Sequence, residues 1–464
     1  MSNFFLLSSN VNTDPYPVYP LGMAVVATAL VNAGHRVWQY DHLAAGCSDH
    51  ELRKALKEFA PDFVGISLRN IDNVDSFSAK KEWYLTKIKM LVEIIRQETA
   101  VPIIVGGPGF SILPEETINY IDADYGVVGE GERTLCDLIT KLEAGHFAPR
   151  IIKNNKNLLT GSEMASPRWD KDLVNFYFKR SGMINLQTKR GCPYNCNYCT
   201  YPILEGRRLR TKEPEKVVEE IKQAKEMFGI DTIFFADSIF NDKSDHYLIL
   251  AEAFLKQELD MRWYGFFRPQ GIRTKELNLL KRSGLSAMEV GTDAACDVIL
   301  AGLNKQFTFE DVIEFNRACV KEEIPTAHFI MFGGPNETMA TVKEGLKNIQ
   351  RLKRCVVFAF GGIRIHPGTQ IHARAIQEGI LNQKDALLKP VYYFSPNLDQ
   401  AIMNENITSA FHGRRDRIFP PSEGLIRMAT MNRFGYRGLL WDKLVSFKST
   451  QNKNLRGHQQ QDLE

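Results

Sequence analysis

Apolar residues in the first 150 positions gather into short runs with amphipathic stretches between them. NFFLLSS, HRVWQYD, DFVGISL, PIIVGGPG and YGVVGEGE are β-rich runs, whereas the stretch from Pro20 to Ala33 carries apolar residues at helical spacing and stops at Gly34. Five strands alternating with helices predict a parallel, doubly wound, Rossmann-like sheet over residues 1–150. Such sheets bind ligands at the carboxyl ends of their strands, which here are YPVYPLG, ISLRN, VGGPGF and VGEGE.

From 151 to 183 the pattern breaks: NNKNLLTGSEMASPRWDKD is polar and irregular and predicts a linker. It resumes over 184–390. NLQTK, TIFFADS, MRWYGFF, AMEVGTD, PTAHFIMFGGP and VVFAFGGIRI read as strands, and EPEKVVEEIKQAKEMFG reads as a helix closed by Gly229. Six strands separated by helices predict an α/β unit, a partial (β/α)6 barrel of TIM type, with functional residues at the C-terminal ends of its strands. Residues 391–447 predict a mostly helical capping segment that roofs the substrate pocket. The polar run over 448–464 predicts a disordered tail.

Composition narrows the function classes. The chain has 464 residues, 44% hydrophobic and 24% charged, which is ordinary for globular proteins and too long for one core. A formal charge of +3 with no concentrated basic face gives no reason to expect a nucleic-acid partner. No run approaches the length of a membrane-spanning helix, and FFLLSS near the start suits a buried strand better than a signal peptide. The expected compartment is therefore the cytoplasm, where the five scattered cysteines serve as small buried hydrophobes.

The other three cysteines are different. In KRGCPYNCNYCTY, Cys192, Cys196 and Cys199 stand at C-x3-C-x2-C spacing, with no fourth cysteine nearby. A structural zinc site needs four protein ligands, so zinc here requires a distant fourth. An iron–sulfur cubane normally takes four thiolates; held by three, it keeps one iron open for a substrate or cosubstrate.

This motif, with Tyr198 before the last cysteine, resembles the cluster motif of the radical S-adenosylmethionine (SAM) superfamily over roughly residues 180 to 385. The resemblance implies that SAM chelates the open iron and is cleaved reductively to methionine and a 5′-deoxyadenosyl radical. An external electron donor of flavodoxin or ferredoxin type goes with it. It also implies SAM contacts from Tyr198, from Asp237 and Ser238 at the end of the second barrel strand, and from Asp293. Asp293 stands in AMEVGTDAACDVILAGLNKQFT where the family usually has Glu; Glu289, two residues before Gly291, is the alternative. Gly333, Pro335, Glu337 and Thr338 resemble the fifth-strand signature, and IRIHPGT the sixth.

PLGMAVVATALVNAGHRVWQYD, FVGISL, VGGPGFSILPEE and VVGEGE, in that order, resemble the cobalamin-binding domain that precedes the barrel in one radical SAM class. The implied cobalamin contacts are Leu21, Gly22, Ser67, Arg69, Asn70, Gly106, Gly107, Gly109, Gly129, Glu130 and Gly131, with Arg69 and Asn70 toward the lower face of the corrin. The D-x-H-x-x-G pattern of histidine-ligated corrinoid proteins is absent, because Asp41 and His42 are adjacent in YDHLAAG. The class implies methylation of an unactivated carbon or, with the same cofactors, a cyclisation, oxidation or rearrangement. The substrate is expected to be a small molecule or lipid-like. GYRGLLWDKL resembles members associated with lipid biosynthesis, and the mixed basic and aromatic stretch from Arg414 to Lys443 suits peripheral membrane contact.

Overall fold

The computed structural model describes residues 1–74, 76–77, 83–153 and 157–447; the tail expected over 448–464 lies outside the described residues. Strands β1 (Asn3–Ser8), β2 (Arg36–Asp41), β3 (Phe63–Ser67), β4 (Ile103–Gly106), β5 (Tyr125–Val128) and β6 (Ile151–Lys153) form one parallel sheet in the order β2-β1-β3-β4-β5-β6. The double winding is visible in β1 alone. Phe5 and Leu7 enter one core with helices Asp49–Phe59 and Leu85–Glu98, while Phe4 and Leu6 enter another with helices Leu21–Asn32 and Gly131–Glu143. A strand buried on both faces has to read as continuous apolar sequence, which is why NFFLLSS does. The order reverses between β1 and β3, so the crevice at this switch point is walled by the loops that carry Tyr16 and Arg69.

The structure differs from the sequence expectation at 151–183. Ile151–Lys153 supplies the sixth strand of the first sheet, and Lys171–Ser181 is a helix whose N-cap Asp170 accepts from Asp172 N and Leu173 N. A three-residue edge strand is too short to carry a periodic signal.

Next come β7 (Ile184–Leu186) and the short antiparallel pair β8 (Lys189–Arg190) and β9 (Arg210–Thr211). The barrel continues with β10 (Thr232–Phe235), β11 (Arg262–Phe267), β12 (Leu285–Asp293), β13 (Thr326–Phe332) and β14 (Val356–Gly361). Antiparallel β15 (Ile363–Arg364) and β16 (Tyr392–Tyr393) come after it, and then β17 (Arg417–Ile418) pairs with β14. The barrel sheet is parallel, ordered β17-β14-β13-β12-β11-β10-β7. The expected six strands are present, and the C-terminal segment adds a seventh.

That segment reaches the barrel from below. Gly438 N donates to Ser181 O at 2.8 Å, just before β7 begins, so the chain enters the barrel at the end where its strands start. Leu439 and Trp441 then join Met183, Phe234, Tyr264, Ala287 and Phe358 in the barrel interior. The segment expected as a roof supplies a floor, because its apolar residues Leu439 and Trp441 fill the lower lumen of the partial barrel.

The first domain grips the barrel at both margins. At the start of the barrel, Arg190 donates to Glu132 Oε1 (2.7 Å) and Glu130 Oε1 (3.3 Å), and Arg210 donates to the same Glu130 oxygen (2.6 Å). At the other margin Arg364 Nε donates to Asp72 Oδ2 at 3.0 Å, Trp83 Nε1 donates to Leu388 O at 2.9 Å, and Phe77 packs edge-on against Phe419.

Candidate cofactor site

The cysteine loop hangs from the β8–β9 pair. Gly191 opens it at φ +92°, and a Cβ there would lie 2.2 Å from Arg208 O, so only glycine fits the turn. Cys192 N donates to Gly206 O, and Cys199 N donates to Cys196 O. Between the last two cysteines, Asn197 is the anchor: its N donates to Leu303 O (3.1 Å), its Nδ2 to Gly302 O (2.6 Å), and its O accepts from Ile371 N (2.9 Å). Cys192 is buried and Cys196 and Cys199 are half-buried, all three unbridged by disulfides. Burial pushes the Cys192 thiol up and the Cys199 thiol to about 12. Among the described residues no three His, Cys, Asp or Glu side chains gather closely enough to hold a single metal ion. The donor set, three cysteines fixed on one loop, fits a cubane cluster with one open iron.

Two expected SAM residues lie beside this loop. Tyr198 Oη donates to Asp293 Oδ2 at 2.6 Å, and Lys305 forms an ion pair with the same oxygen. Burial works to lower the pKa of Lys305, but Asp293 and Cys196 together hold it above the ordinary value. Asp293 ends β12 at φ +64°, a conformation that a short acidic side chain tolerates. Ser238 Oγ donates to Gly191 O at 3.0 Å, next to Cys192.

Asp237 is placed otherwise. It is fully buried, and its carboxylate accepts from Thr188 N (2.7 Å), Thr188 Oγ1 (2.6 Å) and Lys189 N (3.2 Å). Both oxygens are spent on the turn that leads into the cysteine loop, so Asp237 positions that loop. Glu337 is similar: it accepts from Gly333 N and Gly334 N, and Thr338 caps the next helix.

Glu289 lies four residues before Asp293, about 13 Å at about 3.3 Å per residue. It is only 8% exposed, and its Oε1 accepts from Trp441 Nε1 at 3.3 Å. Burial raises its pKa to about 7. An acid raised above its unfolded value of 4.5 contributes stability below that value and loses it as pH rises through 7. The shift corresponds to about 3 kcal/mol. Glu289→Gln should therefore raise the denaturation midpoint at pH 8 and leave it nearly unchanged at pH 5; an equal effect at both would contradict a buried, protonated acid.

In the first domain, Arg69 and Asn70 come directly after β3, and Ser67 ends it with its O accepting from Ser9 N and Oγ. Burial lowers the pKa of Arg69, and the titratable side chains around it are the hydroxyls of Tyr16, Tyr201, Tyr177 and Tyr84, which are neutral at ordinary pH. Leu21 and Gly22 open the first helix, and a Cβ on Gly22 would meet nothing within 4 Å. Gly106 ends β4. Gly107, at φ +101°, and Gly109 press on the backbone of Leu68 and Arg69; a Cβ on Gly107 would lie 2.5 Å from Leu68 O. Gly107→Ala should cost about 1–3 kcal/mol, displace the loop that carries Arg69, and lower cobalamin loading while iron stays normal. Equal loss of both would mean general unfolding.

Gly129 N donates to Ser111 Oγ, and Gly131 packs near Val26. Glu130 points elsewhere, since its carboxylate is taken by Arg190, Arg210 and Leu159 N. It ties the domains together instead of facing the crevice. Open space at Gly22 and a buried guanidinium without an acidic partner among the described residues fit a bulky cofactor over the strand ends.

Known proteins agree in domain order. A B12 binding domain model matches residues 8–139 and a Radical SAM superfamily model matches residues 186–349. The chain belongs to the cobalamin-binding radical SAM enzymes. The cofactors of these enzymes are a [4Fe–4S] cluster, SAM and cobalamin. The chain is 23% identical over 435 residues to a tryptophan 2-C-methyltransferase of Streptomyces laurentii, spanning 77% of this chain and 72% of that one. It is 26% identical over 379 residues to an uncharacterized methyltransferase of Pyrococcus horikoshii, with 78% and 79% covered. The radical SAM methyltransferase TsrM from Kitasatospora setae, solved with cobalamin and a [4Fe–4S] cluster, shares the fold at a TM-score of 0.83. Identity is 24%, with 96% of this chain and 97% of that one covered.

Sequence patterns missed Tyr16, Tyr201, Lys305 and Trp441 in this radical SAM chain. Lys305 carried a signal in LNKQ; the others are aromatic residues whose placement depends on tertiary packing.

Proposed function

We propose that the protein is a C-methyltransferase that moves a methyl group from SAM to an unactivated carbon of a small molecule. Cysteines 192, 196 and 199 would hold the cluster, Tyr198, Ser238 and Asp293 would contact SAM, and the glycines after β4 and β5, with Arg69, would hold cobalamin. The observation that carries the reading is spatial: the cysteine loop and the β1–β3 crevice approach each other at Tyr201, a buried side chain close enough to feel both Cys199 and Arg69. When bound, the cluster delivers an electron to SAM and cobalamin carries a methyl group. This chain's own part is to seat both and exclude water. A flavodoxin- or ferredoxin-type protein would donate the electron.

Relatives named as methyltransferases, one of tryptophan, support methylation of a small molecule. For a lipid-like substrate and membrane contact the support is the surface of helix Pro421–Arg433 and the turn after it. Ile426 and Phe434 (79% exposed) stand out to solvent among Arg427, Arg433 and Arg437.

The test uses anaerobically reconstituted protein incubated with hydroxocobalamin. About four iron per chain, matching sulfide, one cobalt, and transfer of labelled methyl from SAM to the corrinoid are expected. Zinc without sulfide, or cobalt-loaded protein that never accepts the label, would overturn the reading.

A further inference from the structure

Strand β2 is an edge of the first sheet, paired with β1 alone. Arg36 N donates to Ser2 O and His42 N donates to Ser8 O, so the even-numbered residues face β1. Val37 and Gln39 therefore turn their backbone N–H and C=O groups outward, where none finds a partner among the described residues. Along this edge lies a cavity of about 310 Å³, bordered by Trp38 and Phe59 and by Arg168 and Trp169. It runs beside the body of the strand, away from the carboxyl ends that carry the expected cobalamin contacts.

Two buried polar atoms belong to side chains that line it. Gln39 is only 8% exposed, and its Nε2 donates to Arg168 O at 2.9 Å, which fixes the orientation of the amide. Its Oε1 is buried without a hydrogen-bond partner, and so is the indole Nε1 of Trp169. A buried acceptor and a buried donor left unpaired are both costly, so the cavity favours a guest that supplies the two missing partners. Charge narrows the guest further. Arg36, Arg168 and Lys171 stand exposed around the cavity with no ion-pair partner among the described residues, and the Arg36 guanidinium lies 5.1 Å from the centre of the Phe59 ring. Asp170, the acid in the lining, spends its Oδ1 on capping helix Lys171–Ser181.

We infer that the edge of β2 is a second ligand site, separate from the cofactor cradles, and that it takes a nucleoside monophosphate. The N–H and C=O of Val37 point the same way and match a planar base with a neighbouring acceptor and donor. The indoles offer faces for that ring, the ribose hydroxyls supply a donor for Gln39 Oε1, and the phosphate meets the three cations. The cavity lies at the small end of ligand pockets, which run from about 300 to 1,000 Å³, so a mononucleotide suits it. The inference does not rest on the methyltransferase reading.

The experiment uses the full chain loaded with cluster and cobalamin, kept anaerobic with saturating SAM, and three probes: adenosine monophosphate (AMP), adenosine and inorganic phosphate. Calorimetry should show saturable AMP binding about tenfold or more tighter than adenosine, which lacks the charge, or phosphate, which lacks the base. Arg168→Ala with Lys171→Ala should weaken AMP about tenfold and leave adenosine unchanged. Val37→Pro, which an edge strand accepts because the lost N–H faces outward, should weaken AMP about tenfold and leave phosphate unchanged. Unchanged iron and cobalt content shows that each variant folds. The inference is overturned by any of four results: no saturable AMP binding, equal affinity for AMP and another probe, AMP affinity untouched by the paired Arg168 and Lys171 change, or AMP binding that appears only when SAM is left out.

Discussion

Replacing any one of Cys192, Cys196 or Cys199 by Ala removes the bound iron and takes SAM turnover to background, while cobalamin loading stays intact. The loss should exceed the roughly 10–100-fold typical of residues that merely orient metal ligands, because each thiolate is one of only three on the loop. The independence of cobalamin comes from where the two cradles sit: the loop hangs from β8 and β9, whereas the crevice is built by β1, β3, β4 and β5. Iron and cobalt analysis with a SAM cleavage assay decides it. Retained reductive cleavage in the triple variant would remove the cluster assignment, and parallel loss of cobalt would show that the loop holds the two domains together.

Arg190→Met should be the most damaging change outside the cofactor sites, at about 3–5 kcal/mol. The guanidinium lies between Glu130 and Glu132, and all three side chains are nearly buried. Removing the cation leaves two carboxylates in the interface with Arg210, on Glu130 alone, as the remaining ion-pair partner among the described residues. Burial works to raise the pKa of Glu132, but Arg190 outweighs it and holds the acid below its ordinary value. A depressed acid contributes stability above its unfolded value of 4.5 and loses it as pH falls through the folded one. The gap between wild type and Arg190→Met should therefore be widest near neutral pH and narrow toward acid. Denaturant midpoints across pH measure this, and Arg190→Met with Glu132→Met, which removes both charges, should recover much of the loss. A gap independent of pH would assign the damage to lost packing.

The sequence exposed the parts of this molecule that repeat locally. β1 to β5 announce themselves as apolar runs because both faces are buried, and the helix Pro214–Phe228 shows its amphipathic period and its Gly229 terminus. The three cysteines were legible because they fall within eight consecutive positions of one loop. The hidden parts depend on partners far along the chain. Glu130 lies within a glycine-rich turn that reads as a ligand cradle, yet its carboxylate meets Arg210, 80 residues away. Asp237 looked like a cofactor contact at a strand end, and its oxygens are consumed by Thr188 and Lys189. Trp441 meets Glu289 across 152 positions, and nothing in GYRGLLWDKL says that this tryptophan turns inward.

The late position of that floor has a consequence for synthesis. Leu439 and Trp441 leave the ribosome only after β14 and three further helices, Gln370–Gln377, Gln400–Phe411 and Pro421–Arg433. Until then the nascent barrel is a tube open at its lower end, its phenylalanines uncovered and attractive to chaperones. A chain stopped just short of Leu439 would keep its cysteine loop and its first sheet, load metal normally, and still leak water into the place where a radical must survive. Metal content would then overstate the number of competent molecules, and the final dozen described residues act as a completion mark for the fold.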